Sequence, residues 1–222
     1  MAKQDRAVRT RRRITEAAAE VFEREGYQAA TITEILRTAG VTKGALYFHF
    51  QSKEDLAQAV LHEQRQEEAV RPQEVRLQEL VDGGLVLAHR LAGQPLVRAS
   101  IRLTLDPYAQ GVDRRAPFRQ WTERNLKVLL AAEAAGELLP HVDPAATAEL
   151  CVASFAGLQF MSQVMSDYGD LSERLSVFQH HLMPSIATPY ALAHLDLSPE
   201  RGRRLVAEAV DRGGEGIEGL RV

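Results

Sequence analysis

Apolar residues recur at helical spacing along most of the chain. Between Arg11 and Glu25, Ile14, Ala17, Ala18, Val21 and Phe22 fall on one stripe, which predicts an amphipathic helix stopped by Gly26. Thr31 with Glu34 reads as a capping box opening a second helix. Gly40 ends that helix, since glycine takes the left-handed conformation of a helix C-terminus. Thr42 caps a third, beginning Lys43-Gly44-Ala45, on which Leu46 and Phe50 share an inner face. Ser52 with Asp55 opens the next, predicted from Lys53 to about Glu68 with Leu56, Ala57, Val60 and Leu61 inward, before Pro72. Further helices are predicted over 74–92 (bent at Gly83-Gly84), 95–105, 118–135, 143–165, 171–181 and 199–212. Asp143-Pro144 is a cap followed by proline at the first helical position. Asp106 to Pro117 is the clearest loop. Residues 210–222 carry much glycine and are expected to be a flexible tail.

Composition agrees with an all-α protein: alanine and leucine abound, and β-branched and aromatic runs are few. At 222 residues the chain is long enough to bury a real core. The net charge of −3 conceals an asymmetry, because residues 1–53 carry ten Lys/Arg against six Asp/Glu, while the rest carries seventeen against twenty-four. A basic head on an acidic body implies that only the head meets a polyanion. The single cysteine, Cys151, excludes an internal disulfide framework and reads as a buried structural thiol. No long apolar core follows the N-terminal charges, so no signal peptide is expected. The most apolar stretch, Leu150 to Met165, is too short to span a bilayer. A soluble cytoplasmic protein is the expectation.

The helices around Gly40 form a helix-turn-helix. On the second of them Lys43 and Tyr47 share one face, and Gly44 and Ala45 leave its front almost bare. Such a front suits the DNA major groove, which admits one helix with its N-terminal residues at the base edges. Lys53, at the next helix entrance, is placed to meet a phosphate. The plainer alternative is a pair of packed helices with a glycine between them. Arg11, Arg12 and Arg13 lie where cations gain nothing from a helix dipole. They imply an external anion, or else a solvated basic helix start. Met1 to Thr10 is expected to be disordered in the free protein. A helix-turn-helix domain over 1–53 and a helical body over 54–222 follow.

The body carries no catalytic signal. No phosphate loop, dinucleotide fingerprint or nucleophile elbow is present. His180-His181 point about 100° apart on a helix, which suits no metal, so neither metal nor cofactor is expected. What remains is apolar lining with isolated polar groups, the composition of a ligand pocket. The lone Trp121 could close over a small ligand and donate one hydrogen bond, or simply pack in the core. Gln64 on the connecting helix is either a ligand contact or a solvated side chain. Ser154, Gln159 and Ser162, around Phe155, Phe160 and Met161, either touch a ligand or cross a helix seam. Leu85 and Phe118 complete the candidate lining.

The N-terminal motifs, G-Y-x-x-A-T-I-x-E-I and V-T-K-G-A-L-Y-F-H-F-x-S-K-E, strongly resemble the DNA-binding domain of the TetR family over roughly residues 6–62. They are particularly similar to the γ-butyrolactone autoregulator receptors of antibiotic-producing filamentous bacteria. The likeness persists at Gln64, at Trp121 and in A-S-F-A-G-L-Q-F. The resemblance implies a homodimeric repressor that binds a pseudo-palindromic operator and is released by a small lactone or butenolide, switching on antibiotic genes. It implies phosphate contacts from Thr31, Thr33, Thr42, Tyr47, His49 and Lys53, and base contacts from Lys43, Gly44 and Tyr47, with Arg6 and Arg9 as an arm. It further implies that Trp121 lines the effector pocket, and that the 143–165 helix and a later one dimerise as a four-helix bundle. Ala156 stands where some relatives have threonine, which leaves the effector's identity open. The alternative within the same fold is a pseudo-receptor or efflux regulator answering an antibiotic.

Overall fold

A computed structural model describes residues 2–62, 70–109 and 111–218. Among them are eleven helices and no strand, save one isolated bridge between Leu138 and Ala187. The chain divides into two compact units, Met1–Gln66 with Gln94–Pro117, and Glu67–Gly93 with Phe118–Val222.

The first unit holds α1 (Ala2–Ala29), α2 (Ile32–Ala39), α3 (Lys43–His49), α4 (Lys53–His62) and α6 (Pro95–Leu105). Its core is built from Ile14, Ala18, Val21 and Phe22 of α1, Ile35 of α2, Leu46 of α3, Phe50, and Leu56 and Val60 of α4. Ala99 and Leu103 of α6, with Ala109 and Val112 beyond it, bury in the same cluster. That burial draws residues far along the chain into the head. Polar contacts add to it: Arg98 pairs with Glu23 at 2.7 Å, Arg102 donates to the Glu23 carbonyl, and the Tyr27 hydroxyl donates to Glu54 at 3.1 Å.

α1 begins at Ala2, where disorder was expected, and Gly26 interrupts it with φ 79°. The first ten residues contain no glycine or proline, and the Thr10 hydroxyl closes a local bond to the Arg6 carbonyl. A nucleated helix therefore extends backwards at little cost per residue.

The second unit holds α5 (Leu77–Gly93), α7 (Ala116–Ala134, its first residues belonging to the first unit), α8 (Pro144–Ser166), α9 (Leu171–Ile186), α10 (Pro189–Ala193) and α11 (Arg201–Glu218). α5 starts later than its pattern predicts. Its cap comes from far away: the buried Glu137 carboxylate accepts from Arg76 N at 2.8 Å and Leu77 N at 2.9 Å. α9 runs past Pro184, which sits on the exposed side, where water can take the carbonyl it releases. α11 continues beyond Arg212 through Gly213 and Gly214, an extension that the glycine content argued against; once formed, a helix adds one bond per residue. α11 docks on α5 through fully buried Asp82, held by Arg201 at 2.5 and 2.9 Å, while Gln78 donates to the same carboxylate at 2.7 Å. Gly202 lets the two backbones meet, since a Cβ there would fall on the Leu85 carbonyl.

Candidate nucleic-acid interface and ligand site

Local capping builds the turn. The Thr31 hydroxyl accepts from Glu34 N at 3.2 Å, and that of Thr42 from Ala45 N at 3.3 Å. Gly40 between them takes φ 58° and returns its N–H to the end of α2. The Glu34 side chain does not close the capping box; it pairs with Arg37 and with Arg24. The Arg37 hydrogen bond lowers the Glu34 carboxyl below its ordinary range.

Two of the three arginines at 11–13, which lie within α1, serve the ends of α2 and α3. Arg13 Nε donates to the Ala39 carbonyl at 2.6 Å and its Nη2 to that of Gly40 at 2.8 Å. Arg11 reaches the His49 carbonyl at 3.2 Å and lies 4.4 Å from the Phe50 ring centroid. Both guanidiniums cap helix C-termini, where carbonyls are unsatisfied and the dipole end is negative. Arg12 pairs with Glu16. The external anion that the run implied is replaced by these partners within the chain.

The front of α3 stays open. Lys43, Gly44 and Tyr47 are exposed, and a Cβ added at Gly44 would meet nothing within 4 Å. Lys43 Nζ lies 5.8 Å from the Tyr47 ring centroid. Phe48 is 79% exposed with its ring edge-on to half-buried His49. Thr31, Thr33 and Thr42 are exposed, as are Arg6 and Arg9 on α1. Lys53 is engaged inward: Nζ donates to the Gln28 carbonyl at 3.2 Å and stacks on Tyr27, and burial lowers its pKa. Phe48 was not singled out in sequence, where its exposure is not visible, and Arg11 and Arg13 were noticed there without their partners in the chain.

The candidate pocket residues are scattered. Half-buried Trp121 lies under Arg124, whose guanidinium is 5.2 Å from its ring. Leu85 is fully buried, Ser154 and Phe155 are half-buried on α8, and Gln159 is buried. Phe160, 60% exposed, points the other way. Gln64 lies outside the described residues. An open groove of about 460 Å³ runs between α7 and α8, lined by Phe118, Arg119, Thr122, Glu123, Glu149, Val152 and Ala153; of the candidates it gathers only Phe118. Burial pushes the Cys151 thiol up to about 11, so it is inert at neutral pH.

α8 is inverted relative to an ordinary surface helix. Its buried positions hold Thr147, Gln159 and Ser162 with Ala148, while Leu150, Phe160, Met161, Val164 and Met165 are each half or more exposed. A contiguous apolar face of this kind marks an interaction surface.

Comparison with known proteins covers both units. The family model described as bacterial regulatory proteins, tetR family, matches residues 14–60. The A-factor receptor protein of Streptomyces griseus is 42% identical over 96% of this chain and 75% of its own length. The crystal structure of TylP, a TetR regulator from Streptomyces fradiae, is 48% identical with a TM-score of 0.85, covering 92% of this chain and 99% of that one. A γ-butyrolactone receptor structure described as ArpA-like is 29% identical with a TM-score of 0.68, covering 91% and 98%. Among the described residues no helix is long and apolar enough to cross a membrane. With an exposed helix-turn-helix front, and relatives matched over three-quarters or more of their own length, the chain belongs to the TetR family of bacterial regulatory proteins.

Proposed function

We propose that the protein is a cytoplasmic, dimeric repressor that binds a pseudo-palindromic operator through α3. It is released when a small γ-butyrolactone or butenolide enters the body, and so controls antibiotic and other secondary-metabolite genes. One observation carries this reading: likeness to the A-factor receptor does not stop at the head but runs through the body, at 42% over 96% of the chain. A shared head alone would specify only DNA binding.

In this reading α3 lies in the major groove with Lys43 and Tyr47 at base edges, and Gly44 admits close backbone approach. Thr31, Thr33, Thr42 and His49 hold phosphates, and Arg6 and Arg9 add contacts from α1. Lys53 spends one ammonium hydrogen on Gln28 and has others for phosphate. The apolar face of α8 joins a second copy, which sets the two α3 helices one DNA turn, or a multiple, apart. Effector binding favours a body conformation that breaks this spacing; going from almost fully bound to almost fully released takes about 5.5 kcal/mol of differential affinity. The protein works by binding, not by catalysis. The test is a gel shift with Trp121→Ala: operator binding persists and release by lactone is lost. Normal release by lactone would remove Trp121 from the site.

The charged lining of the α7–α8 groove, Arg119, Glu123 and Glu149, favours a second reading. There the protein answers a larger, more polar molecule such as an antibiotic. Screening lactones against antibiotics for operator release separates the two.

A further inference from the structure

Two buried amides in the body stand without full partners. Gln159 on α8 and Gln179 on α9 are each 4% exposed, and the Oε1 of each has no hydrogen-bond donor. For Gln179 the amide orientation is fixed, because its Nε2 donates to the Val81 carbonyl at 3.2 Å and leaves Oε1 as the unmet group. α8 and α9 form an antiparallel hairpin about the turn at Asp167–Asp170. At 1.5 Å per residue the two glutamines lie at matching depth, about 10 to 12 Å from that turn, both on inward sides. A buried acceptor left unmet costs about 1–3 kcal/mol, and here two occur on one hairpin.

The surroundings narrow what could meet them. Gln179 packs against Gly84 of α5, 3.6 Å from where a Cβ would stand, with Leu175 at 3.1 Å. Arg124, stacked on Trp121, lies 3.8 Å from the corresponding point of Gly83. The glycine pair on α5 thus has Gln179 against one residue and the Arg124 guanidinium against the other. An ammonium donor would strand its charge beside Val81 and Leu175, both buried. A neutral hydroxyl supplies a donor without that penalty.

We propose that Gln159 and Gln179 form the acceptor end of the effector site, and that the effector presents a hydroxyl to their amide oxygens. This rests on the ligand-released repressor reading and adds the chemistry the body selects for. Trp121 is the sole tryptophan, so its fluorescence reports binding in the full-length protein. Two probe pairs are titrated: a γ-butyrolactone with a free hydroxyl on its alkyl chain against its O-methyl ether, and 1-octanol against heptyl methyl ether. In the wild type each alcohol should bind about tenfold or more tightly than its ether, the cost of leaving an acceptor unmet. The near-isosteric Gln159→Met/Gln179→Met protein, checked by operator binding, should bring each pair within about twofold, with its unliganded Tm held or raised. Equal affinity of octanol and ether in the wild type, including binding of neither, overturns the inference, as does a preference that survives both substitutions. If the octanol pair discriminates and neither lactone binds, the acceptor site stands and the lactone class is wrong. If the double variant does not fold, the wild-type comparison still decides.

Discussion

At the scale of single residues, the open front of α3 sets a conflict between stability and binding. Gly44 occupies the first turn of α3 with nothing within 4 Å of a would-be Cβ. Gly44→Ala should therefore raise stability by about 0.5–1 kcal/mol, seen as a higher Tm. If the backbone there meets DNA, operator affinity should fall at the same time; a rise in both would place α3 elsewhere. Asp170 supplies a second test. Its hydrogen bond to Arg174, joined by Ser162 and Ser166, holds its carboxyl well below the ordinary range. A depressed carboxylate stabilises the fold above its unfolded pKa, and that contribution is lost as pH falls through the folded value. The α8–α9 turn should thus weaken below about pH 4, and thermal melts of Asp170→Asn should show a shallower acid decline than the wild type.

Elements fold here by two kinds of signal, and only one was legible in the sequence. Thr31, Thr42, Asp143 and Gly40 act within four residues of themselves, so the starts of α2, α3 and α8 and the helix-turn-helix could be read directly. Glu137 capping α5, Lys53 turning to Gln28, and Arg13 holding Ala39 act across separations that periodicity does not encode. The facing of the candidate ligand residues on α8 was hidden for a related reason. α8 is apolar around most of its girth, so its pattern could not say which of Gln159 and Phe160, about 100° apart, faces inward. Gly202 belongs with the hidden signals. Gly202→Ala places a methyl on the Leu85 backbone and should push α11 off α5, costing about 1–3 kcal/mol by chemical denaturation. An unchanged midpoint would mean that α11 contributes little to the body's stability.

At the scale of the whole molecule, the apolar face of α8 is the surface proposed to join a second copy. Val164, 68% exposed beside Met161 and Met165, sits in an apolar patch that a lone subunit would leave in water. Val164→Glu should yield monomers by light scattering and weaken operator binding at least tenfold, since one head then holds one half-site. A variant that stays dimeric would move the interface to another surface. The arginine clamps of α1 have a consequence of their own for how the head grips a polyanion. Arg11 and Arg13 already face carbonyls of the chain, and Arg12 and Arg37 pair with Glu16 and Glu34, whereas Arg6, Arg9 and Lys43 are exposed. Each phosphate neutralised releases about 0.9 of a condensed counterion. A plot of log affinity against log ionic strength should accordingly be gentler than a tally of the head's basic residues foretells, and Arg13→Gln should soften the turn far more than it changes that slope.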